Sequence, residues 1–373
     1  MSRARILEIC MKIFDSIAAS FQSAGGPANT VVGIDIGSSS MKVVELKEDK
    51  GVVTLSTYGE VQLGPYAGKN LGESVQLNPK QEQEALVDVI RESAVRAREA
   101  VFAMPLSSSF VTNVSIEADA DADLAALVRV EARKVIPASL SEVTLDWAEV
   151  EVTKSEEKNN EVEHRNVLIA AIQNSGLERF KVLMQFAGLK QPPTEIECFS
   201  TIRSLFKSQD KDVAIIDIGA TSSKLYIARK GLLMRMHRIR AGGAIATKQI
   251  ADVLAIDFER AEELKYAANT QTENFAEIKR AHNSSYDRAF REFRQVLHEY
   301  EAKTGVSFSE VHLSGGGALF PGIDAYLAKA LERDVLQANP FSKVAYPAFM
   351  EDTMKSIGPS FTVALGAALR MFE

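Results

Sequence analysis

Residues 34–42 read Ile-Asp-Ile-Gly-Ser-Ser-Ser-Met-Lys (IDIGSSSMK), and residues 216–224 read IDIGATSSK; at an offset of 182 the two agree at six of nine positions. An apolar run precedes each copy, at 31–34 and 213–216, and an alternating stretch follows, at 42–46 and 224–227. Each copy is expected to be a β-hairpin closed by a turn of small residues, and the chain to be two related lobes.

The turn composition says what such a pair could do. Gly, Ser and Thr lack bulk, so backbone N–H groups and hydroxyls can close around a polyanion, while an Asp at the strand end can hold a hydrated divalent cation. Two facing hairpins would grip one triphosphate. A third small-residue cluster, Ser314-Gly315-Gly316-Gly317-Ala318, follows an expected strand at 311–313 and precedes an expected helix at 323–332, which is the strand–glycine–helix order in which nucleotides are approached. No Walker A pattern is present: the nearest stretch, from Gly64 to Gly68-Lys69-Asn70, has the wrong spacing and lacks the Ser or Thr that would bind magnesium.

The remaining composition narrows the class. The chain has 373 residues, enough for two or three domain-sized units, and its net charge of −7 argues against binding to nucleic acid through bulk positive charge. At 46% hydrophobic and 25% charged it has the balance of a globular protein. Cys10 and Cys198 are the two cysteines, far apart and without metal-ligand spacing, so neither a disulfide framework nor a structural zinc is expected. The longest late apolar run, 361–369, is half of what a membrane span needs. Residues 1–30 carry Ile6, Leu7, Ile9, Ile13, Phe14 and Ile17 among basic residues, the pattern of an amphipathic helix followed by a linker at 23–27. Docking on the protein's own body, lying in a membrane interface and disorder are all open for it.

These motifs resemble the superfamily of actin, Hsp70 and the sugar kinases, in which a nucleotide lies between two lobes built on the same core. The resemblance covers residues 31–373: the first hairpin is similar to the phosphate-1 element, the second to phosphate-2, SGGGALFPGI at 314–323 to the adenosine motif, and Ala261-Glu262-Glu263-Leu264-Lys265 to the AExxK helix. Within it, the chain resembles the PilM family of type IV pilus assembly. GIDIGSSSMKVVEL at 33–46, Ile136-Pro137 followed by EVTLD at 142–146, and SFTVALGAALR at 360–370 carry that likeness.

The resemblance implies an α/β actin-like ATPase fold with a mixed five-stranded sheet in each lobe. Its units would be an N-terminal helix and linker at 1–30, subdomain 1A at 31–109, 191–212 and 356–373, an inserted SHS2-like subdomain 1C at 110–190, subdomain 2A at 213–243 and 306–355, and a small subdomain 2B at 244–305. Subdomain 1C would hold a strand at 110–116, a helix at 124–135, strands at 143–152 and 167–172, a solvated loop at 154–165 and a helix at 176–186. Subdomain 2B would be helical over 244–266 and 284–303.

The same resemblance implies ATP and Mg2+ as cofactors. Asp35 and Asp217 would face the metal, mostly through water. Gly37, Ser38, Ser39, Ser40 and Lys42 would meet the phosphates from one side, and Gly219, Ala220, Thr221 and Ser222 from the other, with Lys224 in the repeat's equivalent place. Gly242 and Gly243 would approach beyond phosphate-2, Glu262 and Lys265 would flank ribose and base, and Gly315, Gly316 and Gly317 would underlie the adenosine. Glu197 would orient water for hydrolysis, although Cys198 departs from the family's Glu-Pro-x-Ala and leaves turnover open, as does a plain helix-dipole role for Glu197. The implied partners are the N-terminal cytoplasmic peptide of a PilN-like membrane protein, held between 1C and the first lobe, and other inner-membrane pilus components; association with the inner membrane's cytoplasmic face would run through them, and self-association is left open. Leu127 and Val130 are expected in the core rather than in that groove. A division protein like FtsA and a small-molecule kinase of the same superfamily are the competing readings.

Overall fold

A computed structural model of the chain describes residues 29–119, 122–155, 162–190, 194–206 and 212–372; the expected N-terminal helix and Cys10 lie outside them. In chain order the elements are β1 (Thr30–Ile36), β2 (Ser40–Asp49), β3 (Val52–Gln62), α1 (Pro79–Glu92), β4 (Glu99–Met104), β5 (Ser109–Ala118), α2 (Leu124–Val135), β6 (Val143–Ser155), β7 (Val162–Gln173) and α3 (Asn174–Phe186). They continue with β8 (Glu195–Ile196), α4 (Glu197–Leu205), β9 (Asp212–Ile218), β10 (Ser223–Arg229), β11 (Leu232–Ile239), α5 (Gly243–Leu254), α6 (Phe258–Ala267), α7 (Phe275–Ser284), α8 (Asp287–Thr304), β12 (Glu310–Ser314), α9 (Ile323–Leu331), β13 (Asp334–Gln337) and α10 (Glu351–Leu369).

The repeat read from nine residues extends to whole sheets. One runs β3-β2-β1-β4-β8 and the other β11-β10-β9-β12-β13, so each has two antiparallel hairpin pairings followed by parallel crossovers in the same order. Register is fixed by the alternation of side chains. In β1 and β2, Val32, Ile34, Met41 and Val43 point toward α1 and α3, while Val31, Val44 and Leu46 pack on α10 through Val363, Ala364, Leu365 and Ala368. Burial on both faces explains why these strands read as nearly continuous apolar runs.

Capping starts the helices where they are needed. Asn78 and Gln81 exchange hydrogen bonds in a capping box ahead of α1, with Pro79 at the first helical position. Asp123 accepts from the Ala126 N–H ahead of α2, and Asp257 from that of Arg260 ahead of α6.

The insertion between β4 and β8 is a three-stranded sheet, β5-β7-β6, with α2 on one face and the first lobe on the other. Its strands reach farther than the apolar runs indicated: Lys154 pairs with Glu163 and Ser155 with Val162, so residues 154–155 and 162–165 of the segment expected as a loop are strand. Ladder hydrogen bonding carries polar residues into the strand once both faces no longer need covering. Leu127 packs against the insert's core, but Val130 is exposed, a correction to its expected core position. The helical face is set by Leu124, Val128 and Ala132, and Val130 lies about 160° off that stripe.

Asn113 on β5 donates through Nδ2 to the carbonyls of Leu233 (2.8 Å) and Met234 (2.7 Å) on β11, so the insert also touches the second lobe. The stretch 244–266 is two helices, broken at Ala255 in the left-handed region, and α7 was not foreseen. The last crossing into the first lobe comes before the expected boundary at 356: Phe341 and Val344 already pack with Val44, Leu46 and Leu55. No helix among the described residues is long and apolar enough to cross a membrane.

Candidate functional site

The two hairpin turns have the same construction. Gly37 N–H donates to the Ser40 carbonyl at 2.9 Å, and Gly219 N–H to that of Ser222 at 3.0 Å. Their tips meet across the lobe boundary, where Ser38 Oγ lies 3.4 Å from Thr221 Oγ1. Both turns open on one cleft of about 690 Å3, which also exposes Asp35, Lys42, Glu197, Asp217, Lys224, Glu262, Lys265 and Gly315–317. All the residues expected at the site except Gly242 line this cleft. Gly242 sits behind the second turn instead: a β-carbon there would lie 2.5 Å from the Ala220 carbonyl oxygen, so its smallness lets α5 approach the turn rather than a ligand.

The β-ladder places each Asp opposite a Lys, Asp35 across from Lys42 and Asp217 across from Lys224. The two pairs then differ. Lys224 Nζ contacts Glu197 at 3.0 Å and Asp217 at 3.1 Å, and Asp217 also receives the Ser314 hydroxyl at 3.3 Å. Lys42 turns toward Ser40 Oγ (2.6 Å) and Glu60 (3.0 Å). Asp35 is left facing the cleft. Loss of hydration lifts its pKa to about 6, aided by the Glu197 and Asp217 carboxylates and opposed by Lys42 and Lys224. Lys224 is held firmly protonated by its two carboxylates despite its burial.

Glu197 begins α4 and is buried, with Oε1 accepting the Leu106 N–H at 3.0 Å and Oε2 facing Lys224. Among the described residues there is no cluster of three or more metal-ligating side chains. The donor set still suits magnesium, which keeps several waters and binds through one or two carboxylates plus phosphate oxygens. Asp35, beside the hydroxyl-bearing turns, offers such a carboxylate.

Beside Asp217, Gly315 adopts φ +88°, and a β-carbon there would lie 2.4 Å from the Ile218 carbonyl oxygen and 2.6 Å from Asp217 Oδ1. Its N–H donates to the Pro359 carbonyl at 2.7 Å, tying the turn to α10. Glu262 is buried and bonded to Thr247 and to Lys265 (2.6 Å); Lys265 also reaches Thr247 at 2.8 Å. Burial lowers the Lys265 pKa, with Glu262 opposing.

Several cleft residues carried no sequence motif. Arg238 on β11 donates to Ser222 Oγ at 3.3 Å, and Glu60 pairs with Lys42. Arg179 of α3 reaches from the insert to the buried Glu82 of α1, with Nε 2.7 Å from Oε2. Tyr266, His282 and Phe320 also line the cleft, and His282 stacks on Phe320 beside the glycine-rich turn. Only register could have revealed Arg238 and Glu60, since each stands on the strand next to a motif strand; nothing local marks His282.

Comparison with known proteins accords with this geometry. The family described as type IV pilus assembly protein PilM matches residues 33–372. Among solved structures, a chain of a PilM–PilN type IV pilus biogenesis complex superposes with a TM-score of 0.76 at 23% identity, covering 93% of this chain and 100% of that one. Ethanolamine utilization protein EutJ from Carboxydothermus hydrogenoformans gives 0.56 at 15% identity over 99% of both chains. MreB5 of Spiroplasma citri bound to ADP gives 0.52 at 13% identity, over 88% of this chain and 98% of that one. The fold is the actin-like ATPase fold.

Proposed function

The chain belongs to the PilM family of type IV pilus assembly proteins, and on that premise we propose that it is an ATP-binding adaptor at the cytoplasmic face of the inner membrane, which captures the N-terminal cytoplasmic peptide of a PilN-like protein. One observation carries the nucleotide half: two copies of the same hairpin meet tip to tip over a single cleft, with Ser38 and Thr221 in contact. Turn N–H groups and hydroxyls from both lobes supply donors to the phosphates, and Lys42 supplies charge from the flank. Magnesium would be taken up by Asp35 through water, with Asp217 on the opposite side, and would neutralise phosphate charge. Gly315–317, Glu262 and Lys265 form the adenosine end.

Turnover is slow or absent on this reading. Phosphoryl transfer to water needs a group free to orient the nucleophile, and both carboxylate oxygens of Glu197 are already engaged. The nucleotide would act instead by holding the lobes together. The peptide half of the proposal rests on family membership and on the three-stranded inserted sheet beside the first lobe, which we read as subdomain 1C.

The test is titration calorimetry with Mg-ATP on the full chain and on Asp35→Ala/Asp217→Ala, together with fluorescence polarisation using a PilN-type N-terminal peptide. Saturable Mg-ATP binding lost by at least 100-fold in the double variant, with the fold retained by circular dichroism and peptide capture by the parent protein, is expected. Undiminished affinity in the double variant would refute the residue roles. Phosphorylation of sugars or short carboxylic acids without peptide capture would favour a kinase.

A further inference from the structure

The glycine-rich end of the cleft holds one polar ring that the nucleotide reading leaves without a task. His282, near the end of α7, is buried and still lines the cleft. Its ring plane is fixed by stacking on Phe320, with centroids 3.5 Å apart and planes 13° from parallel, and by Tyr286 at 5.3 Å. Its Nδ1 lies 3.1 Å from Asn283 Oδ1. A neutral imidazole has one N–H and one lone-pair nitrogen. With Nδ1–H directed to the amide oxygen, Nε2 is the lone-pair nitrogen.

Glu262 Oε2, Lys265 and Thr247 are bonded to one another, whereas no second hydrogen bond is made by the His282 ring among the described residues. The ring also stays neutral: burial lowers its pKa to about 3, and nearby Lys265 pushes the same way, against the Asn283 hydrogen bond. An uncharged acceptor therefore lines the cleft beside Phe320, which follows closely on Gly315–317, the turn that the proposed site assigns to the adenosine.

Building on the proposed nucleotide site, we propose that His282 is a specificity residue that selects a 6-amino purine over a 6-oxo purine. Adenine presents an N–H2 donor at position 6 and guanine a carbonyl acceptor. A fixed lone pair accepts from the first and is left facing a second lone pair with the other. A buried polar group denied its partner discriminates far more strongly than a change of shape.

The experiment is a competition titration of a fluorescent ATP analogue with ATP, ITP and UTP on the parent chain, His282→Phe and His282→Gln. ITP differs from ATP at position 6 and in the linked proton on N1, and lacks the 2-amino group of GTP, so it tests the 6-amino against the 6-oxo edge without a third change. The parent is expected to prefer ATP over ITP by at least tenfold. His282→Phe, which keeps the stack on Phe320, should bring that ratio near one by weakening ATP and sparing ITP. His282→Gln, which restores an acceptor, should recover part of the ratio. Equal binding of ATP and ITP by the parent, or an undiminished ratio in a folded His282→Phe, would overturn the assignment while leaving the nucleotide site intact. Failure of every triphosphate to compete would sink the nucleotide reading and this inference with it.

Discussion

Asp35 shows at one residue how the proposed binding site opposes stability. Its carboxyl titrates near 6 in the ligand-free protein and near 4 in an unfolded chain, so the native state holds the extra proton between those values. That contribution favours the fold at low pH and fades as pH rises through about 6. At pH 7 the native protein therefore carries a poorly solvated charge. Asp35→Asn is expected to stabilise the ligand-free protein at pH 7 by about 1 kcal/mol, a figure reduced for its partial exposure, while weakening Mg-ATP binding. Urea unfolding of both forms checks it; a destabilised, tight-binding variant would contradict it.

His282 has the opposite pH signature. Its folded pKa is depressed, so below about 6.5 the unfolded state takes up a proton that the native state refuses, and stability falls as pH drops. Between pH 7 and 5 this amounts to about 2 kcal/mol, at about 1.4 kcal/mol per pKa unit. His282→Phe should lose stability over that range by about 2 kcal/mol less than the parent, measured by urea unfolding at each pH. Parallel curves for the two proteins would mean that the ring is not held neutral.

Among the elements, the turn after β12 is the least forgiving. A side chain at Gly315 would need a left-handed backbone and would overlap Ile218 and Asp217. Gly315→Ala is expected to cost at least about 2 kcal/mol and to weaken nucleotide binding, because the same turn is tied to Pro359. Thermal unfolding and ATP titration would show both effects; a fully stable variant would mean that the turn relaxes freely.

The hairpins were legible because a nine-residue phrase occurs twice and small-residue turns leave little choice of backbone. The first half of α10 was not: Pro359 reads as a break, yet it lies inside the helix, where its carbonyl accepts from the Gly315 N–H and from the Thr362 hydroxyl. Strands β6 and β7 were underestimated because their outer ends carry charge rather than alternation. Arg238 stands opposite Lys224 in the β10–β11 ladder, so only the register of that hairpin marks it. His282 owes its place to packing between elements distant in sequence, which neither periodicity nor spacing encodes.

At the scale of the whole molecule, the lobes are joined by more than the chain crossings. Lys224 of the second lobe pairs with Glu197 at the head of α4, and the same carboxylate holds the Leu106 N–H just before the inserted sheet begins. Asn113 of that sheet holds the edge of β11. On the proposed function, a ligand drawn between the turns would act on the insert's anchor as well as on the lobes, a route by which nucleotide state would reach partner binding.

The central claim is that the turns at 36–40 and 219–223 hold one triphosphate together. Amide hydrogen exchange of the full chain, with and without Mg-ATP, reports on both at once. Protection of both segments at the same ATP concentration is expected. Protection confined to one of them, or absent from both at saturating ATP, would contradict the claim.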